Sequence, residues 1–188
     1  LLADALFDDA FVRAVVRAIG DRASVPMAGG RLQFQPAPAY AGLVDRAALA
    51  AAAIARPGSD GAQALVLIGE TLQLQALRRV RPGLHPALQL GRFLAARAGP
   101  APVLPIAGAL DHVADGGTPT TLALLQAQVQ NQGDGRAWVE AYLDRFLDDW
   151  RTDPAAERVS VPADVHGACL LLLQTVGRCS GALHQALA

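Results

Sequence analysis

The spacing of apolar residues changes period several times along the chain, and each change marks an element. Asp8 and Asp9 precede Ala10, Phe11 and Val12, and Val15, Val16 and Ile19 follow at helical spacing until Gly20. An acidic start and a glycine stop predict a helix there. Ala23 to Gln35 holds Gly29–Gly30 between two short alternating stretches, the pattern of a hairpin. Pro36–Ala37–Pro38 breaks the chain, and the alanine-rich Ala47–Ala55 predicts a helix on propensity, unless the surrounding strands override it. Ala64–Ile68 reads as a compact apolar strand, and Leu72, Leu74 and Ala76 alternate with Gln73 and Gln75 in a second. Gly69–Glu70 between them makes a hairpin. Pro86 opens a helix through Leu88, Leu90, Phe93 and Leu94 that is expected to end near Gly99–Pro100. Val103–Val113 and Thr120–Val129 predict two strands around the Gly116–Gly117 turn. Gly135–Trp150 and Val165–Leu187 predict helices.

Hairpins with one inserted helix, followed by helices, indicate an α+β fold and not a doubly wound parallel sheet. The chain has 188 residues and a net charge of −1, so nothing in its overall charge suits nucleic acid. Aromatics are scarce, so Ala, Leu and Val must build the core. All the basic residues are Arg; the sequence contains no Lys. No apolar run reaches the roughly 18 residues that a membrane span needs, and no basic-then-apolar leader opens the chain. Leu1 at the first position is expected either of a chain cut from a longer protein or of one whose first residues are not given.

Cys169 and Cys179 fall on one predicted helix, about 15 Å apart, too far for a disulfide. They read as buried small apolar residues in a reducing, cytoplasmic setting. On a straight helix His166 and His184 lie about 27 Å apart and cannot share a metal. His85 and His112 lack Cys or carboxylate neighbours at ligand spacing, so no metal site is expected. No nucleophile motif surrounds Ser160 or Ser180.

The stretch LQLQALRRVRPGLHPALQLGRFL, Leu72 to Leu94, resembles bacterial maltokinases of the aminoglycoside-phosphotransferase-like kinases. In that family a strand leads through a Gly-x-Asn-Pro turn into a helix reading Glu-Ile-Gly-Arg-Phe-Leu. Arg78, Arg79, Gly83, Pro86, Leu90, Gly91, Arg92, Phe93 and Leu94 fit it. TLALLQAQVQNQGDG, Thr121 to Gly135, is similar to the family's hinge strand and Asn-Gln-Gly-Asp turn. GRCSGALHQALA, Gly177 to Ala188, is similar to its Gly-Arg-x-Thr-x-x-Leu-His helix. The resemblance implies an N-terminal cap subdomain over 1–57, a protein-kinase-like N-lobe with an antiparallel sheet over 58–133, and linking helices over 134–188 that lead toward a C-terminal lobe. It also implies ATP and Mg²⁺ as cofactors, and phosphorylation of maltose to maltose 1-phosphate, feeding α-glucan synthesis. Trehalose synthase is the partner such kinases are often fused to.

Kinases hold the nucleotide phosphates with a Lys on the third strand, oriented by a Glu on the next helix. The resemblance places these at Gln75 and Gln89, both neutral amides. Losing both charges together strands neither one in the interior, a situation that costs several kcal/mol. The nucleotide-covering turn becomes DGAQAL, Asp60 to Leu65, where Gly61 keeps backbone access but the family's hydroxyls are gone. Gln126 and Val129 complete the expected nucleotide positions. With no His-x-Asp pair and no Asp-Phe-Gly within the chain, no catalytic residue is assigned. The expectation is a degenerate, non-catalytic maltokinase-like lobe. The alternatives are an active kinase with an Arg clamp, and an interaction domain that assembles with trehalose synthase.

Several local readings stay open in the sequence. Gln75 and Gln89 form either an amide link between strand and helix or two separate polar positions. Gly133–Asp134 is a hinge turn or a helix N-cap, or both. Arg78, Arg79 and Arg81 bind an anion, form a solvated face, or pair with acids such as Asp144, Asp148 and Asp149. Trp138, Tyr142, Phe146 and Trp150 form a stripe suited to helix packing, or to a sugar.

Overall fold

The computed structural model describes residues 4–59, 62–96, 103–131, 133–152 and 166–188. Their elements run, in chain order, α1 (Asp9–Gly20), β1 (Ser24–Met27), β2 (Gly30–Pro36), α2 (Tyr40–Leu43), β3 (Ile54–Ser59), β4 (Gln63–Ile68), β5 (Leu72–Leu77), α3 (Pro86–Ala95), β6 (Ile106–Ala114), β7 (Pro119–Ala127), α4 (Gly135–Thr152) and α5 (Gly167–Leu187). The protein is therefore α+β, as the periodicities predict. All seven strands join one sheet, in the order β1-β2-β6-β7-β5-β4-β3, and every strand pair is antiparallel.

The start of α1 follows from its cap. The Asp8 carboxylate accepts from the Ala10 and Phe11 backbone N–H groups at 2.7 and 3.4 Å, satisfying donors that the first helical turn leaves free. Val12, Val15, Val16 and Ile19 then form a single buried stripe. Each buried side chain of this kind contributes about 1.5–3 kcal/mol. The helix stops at Gly20, where a Cβ would lie 2.4 Å from the Tyr40 hydroxyl. That hydroxyl donates to the Val16 carbonyl at 2.9 Å and ties α2 beneath α1.

The sheet buries both faces over its centre. On one face the α1 stripe packs with Phe34, Val66, Ile68, Leu72, Leu74, Ala107 and Leu125. On the other, Leu88 of α3 packs on Ile106, Ala109 and Leu124. Gly91 permits this approach, since a Cβ there would lie 2.5 Å from Cδ1 of Ile106. β1 and β2, inside the region expected to form a cap, continue the same sheet through β2–β6 pairs from Gly30↔Ala114 to Pro36↔Gly108.

Two expectations need correction. Ala47–Ala55 is not a helix: it holds a 3₁₀ turn at Ala48–Ala50 and the first residues of β3. Leu49 is the buried anchor of that turn, and pairing of Ile54 with Ile68 and of Ala55 with Leu67 outweighs alanine's helix propensity. Cys179 is exposed and only Cys169 is buried; both are free. Cys169 is the one buried residue described on α5, so burial of a second cysteine has no structural basis there. The expected end of the α3 helix near Gly99–Pro100 lies outside the described residues.

The chain divides into two compact units, Leu1–Gln130 and Asn131–Ala188. In the second, Asp134 caps α4 by accepting from the Ala137 N–H at 2.8 Å, the N-cap expected of that residue. The aromatic stripe packs around His166, the residue before α5. Tyr142 Oη and His166 Nδ1 are hydrogen-bonded at 2.5 Å, the Phe146 ring meets His166 edge-on, and Trp138 stacks on Tyr142. Among the described residues, no helix is long and apolar enough to cross a membrane.

Candidate functional site

The strand alternation decides which residues share a face. Leu72 and Leu74 point into the core under α1, so Gln73 and Gln75 point to the side that carries α3. The register agrees, because Gln75 lies opposite Leu124, which packs against Leu88 of α3. Gln73 lies opposite Gln126. On β4, Leu65 pairs with Gln75 and Leu67 with Gln73, and Gln63 is the diagonal neighbour of Gln75. The result is a half-buried patch beside α3, formed by Gln63, Gln73, Gln75 and Gln126 with Leu65 and Leu67.

Chemically this patch is neutral. β4, β5 and β7 contain no charged residue. The Gln75 amide donates to the Gln63 side-chain oxygen, so two primary amides already engage each other. Such groups donate and accept in equal measure and suit hydroxyls or ring nitrogens. They offer no ammonium to a phosphate and no carboxylate to a magnesium ion. A magnesium triphosphate does not fit this face.

Gln89 does not join the patch. It is exposed on α3, and its amide donates to the Leu84 carbonyl at 3.3 Å. The expected amide link to Gln75 is therefore absent. Leu88 and Gly91 are the positions turned toward the sheet, and Gln89 is rotated about 100° from Leu88 around the helix axis. Val129 follows β7 and is exposed, and Gly61 lies outside the described residues. The structure thus brings Gln75 and Gln126 onto one face and leaves Gln89 and Val129 off it. Gln63 and Gln73, not singled out from sequence, are the additions. Their signal was available: the polar residues of both strands of the hairpin fall on one side.

The arginines after β5 divide. Arg78 pairs with Asp4 at 2.6 Å, not with the acids of α4. The Leu6 backbone N–H, above all, holds the Asp4 carboxyl below the ordinary aspartate value; partial desolvation opposes this, and Arg78 adds to the lowering. Arg79 and Arg81 form no ion pair among the described residues. Nor do the described residues include any group of three or more His, Cys, Asp or Glu placed to hold a metal ion.

No family model matches the chain, and no curated protein matches it significantly.

Proposed function

We propose that this chain is a maltokinase-like lobe that has lost phosphoryl transfer and serves as a structural or assembly module. Three arrangements support the reading. The run β3 to β7 has five strands, and the third, β5, carries Gln75. Among the described residues, the only α-helix between them is α3, which follows that third strand and packs on the sheet face that displays Gln75. Gln75, at the position where the resemblance places the kinase lysine, is an amide. The observation that carries the proposal is the uncharged face itself. Phosphoryl transfer relies on electrostatic stabilisation of the phosphates, and Gln63, Gln73, Gln75 and Gln126 supply no positive charge for it. Replacing both members of a lysine–glutamate pair by amides leaves neither charge buried without the other.

The clamp proposed in the alternative reading does not suit Arg78, which Asp4 occupies. The test is an assay of ATP-dependent maltose phosphorylation on the protein in its full natural length. The expected result is no maltose 1-phosphate above the blank. Sustained turnover refutes the proposal.

A further inference from the structure

A second site lies on the opposite face of the sheet, at the end away from α1. There the core under α1 thins to half-buried Leu32 and Leu110. Beyond them a groove of about 420 Å³ opens between three pieces of chain. The β1–β2 hairpin contributes Met27, the ends of β6 and β7 contribute His112, Thr120 and Leu122, and the arm after β5 contributes Val80 and Arg81. Two features of the backbone build it. The β6–β7 register shifts between Leu110↔Ala123 and Asp111↔Thr121, which leaves Leu122 as an extra residue. Such a bulge re-aims a side chain, and here Leu122 lines the groove. The arm is held in place where Gly83 bridges Thr120: the Gly83 N–H donates to the Pro119 carbonyl at 3.0 Å.

The groove floor is apolar, with Met27 and Val80 each 48% exposed. Its polar groups are all able to donate. Arg81 has no ion pair, and the His112 ring and Thr120 hydroxyl have no hydrogen-bond partner, among the described residues. No carboxylate is among the lining residues. An apolar floor with a few convergent polar groups is the usual make-up of a small-molecule site, and the one fixed charge here is positive.

We propose that this groove binds a small amphiphilic carboxylate, with its head on Arg81 and an alkyl or aryl body of roughly eight carbons over Met27, Val80 and Leu122. The site does not depend on the function proposed above, because it uses the other face of the sheet. The test is calorimetric titration of the full chain with octanoate, 1-octanol and acetate, with backbone amide shifts to locate the contact. Octanoate is expected to bind about tenfold tighter than 1-octanol, and acetate not measurably. Arg81→Gln is expected to bring octanoate to the level of 1-octanol, with an unchanged urea midpoint since Arg81 is exposed. Met27→Glu, which places a carboxylate at the groove, should weaken octanoate similarly. Amide shifts should cluster at 27, 80–82, 112 and 120–122. The proposal is overturned by equal affinities for octanoate and 1-octanol, by no octanoate binding up to ~10 mM, or by an unchanged affinity in Arg81→Gln. Shifts centred instead on the separate groove lined by Pro38, Leu94, Leu104 and Ile106 overturn it as well.

Discussion

Asp111 sits on β6 without solvent exposure, opposite Gln33 and Thr121, and neither of its carboxylate oxygens finds a donor among the described residues. A buried polar group left unpaired costs about 1–3 kcal/mol, and more when it carries charge. Asp111→Val removes both unpaired oxygens, so it should raise stability by about 1–3 kcal/mol, measured by urea denaturation. A fall in the midpoint would mean that the carboxylate has a favourable partner. Its neighbour Thr121 acts in the opposite sense, because its hydroxyl accepts from the His85 N–H at 3.0 Å as the chain enters α3. Asp111 was not legible in the sequence, where it and His112 are adjacent polar residues in an otherwise apolar strand. Whether a strand buries such a residue depends on which helix covers it, and that is decided by contacts far apart in sequence. Gln75 was legible, since alternation alone fixes its face.

The elements themselves were read largely from periodicity, and the failures share a cause. α1, β5 and α3 carry a strong period of their own, so local pattern and final structure coincide. β3, reading IARPGS, has no period, and its strand geometry comes from pairing with β4. The alanine tract before it shows the same dependence, since its helix propensity gives way to the strand that the sheet edge imposes. The seat of α3 depends on Gly91, a residue that the sequence pattern could flag but not explain. The structure supplies the reason in Ile106, which a methyl group at 91 would contact at 2.5 Å at Cδ1 and 2.9 Å at Cγ1. Gly91→Ala would gain helix propensity on an isolated helix. Here it should instead cost about 1–3 kcal/mol through overpacking, measured by urea denaturation. A stabilised variant would show that Ile106 moves aside freely.

Across the whole sheet unit, the N-terminal residues are fastened by charge. Asp4 pairs with Arg78 at 2.6 Å, while Asp9 pairs with Arg56 at 2.6 Å. Folding lowers the Asp4 pKa, chiefly through the Leu6 N–H. Its stabilising contribution is therefore complete above about pH 4 and is lost as the pH falls through the lowered value of the folded state. Asp4→Asn should flatten the fall in stability below pH 4, measured as urea midpoints at successive pH values; an unchanged acid limb would contradict this role. These ties also keep Arg78 from serving as a phosphate clamp, which leaves the neutral face as the centre of the account. The most direct test of that face is calorimetric titration of the native chain and of Gln75→Lys with ATP and with adenosine. The account predicts that the native chain holds ATP no more tightly than adenosine, and that the new ammonium gives ATP an advantage of about tenfold. A native chain that already prefers ATP by tenfold or more, or a Gln75→Lys variant that gains no preference, would contradict it.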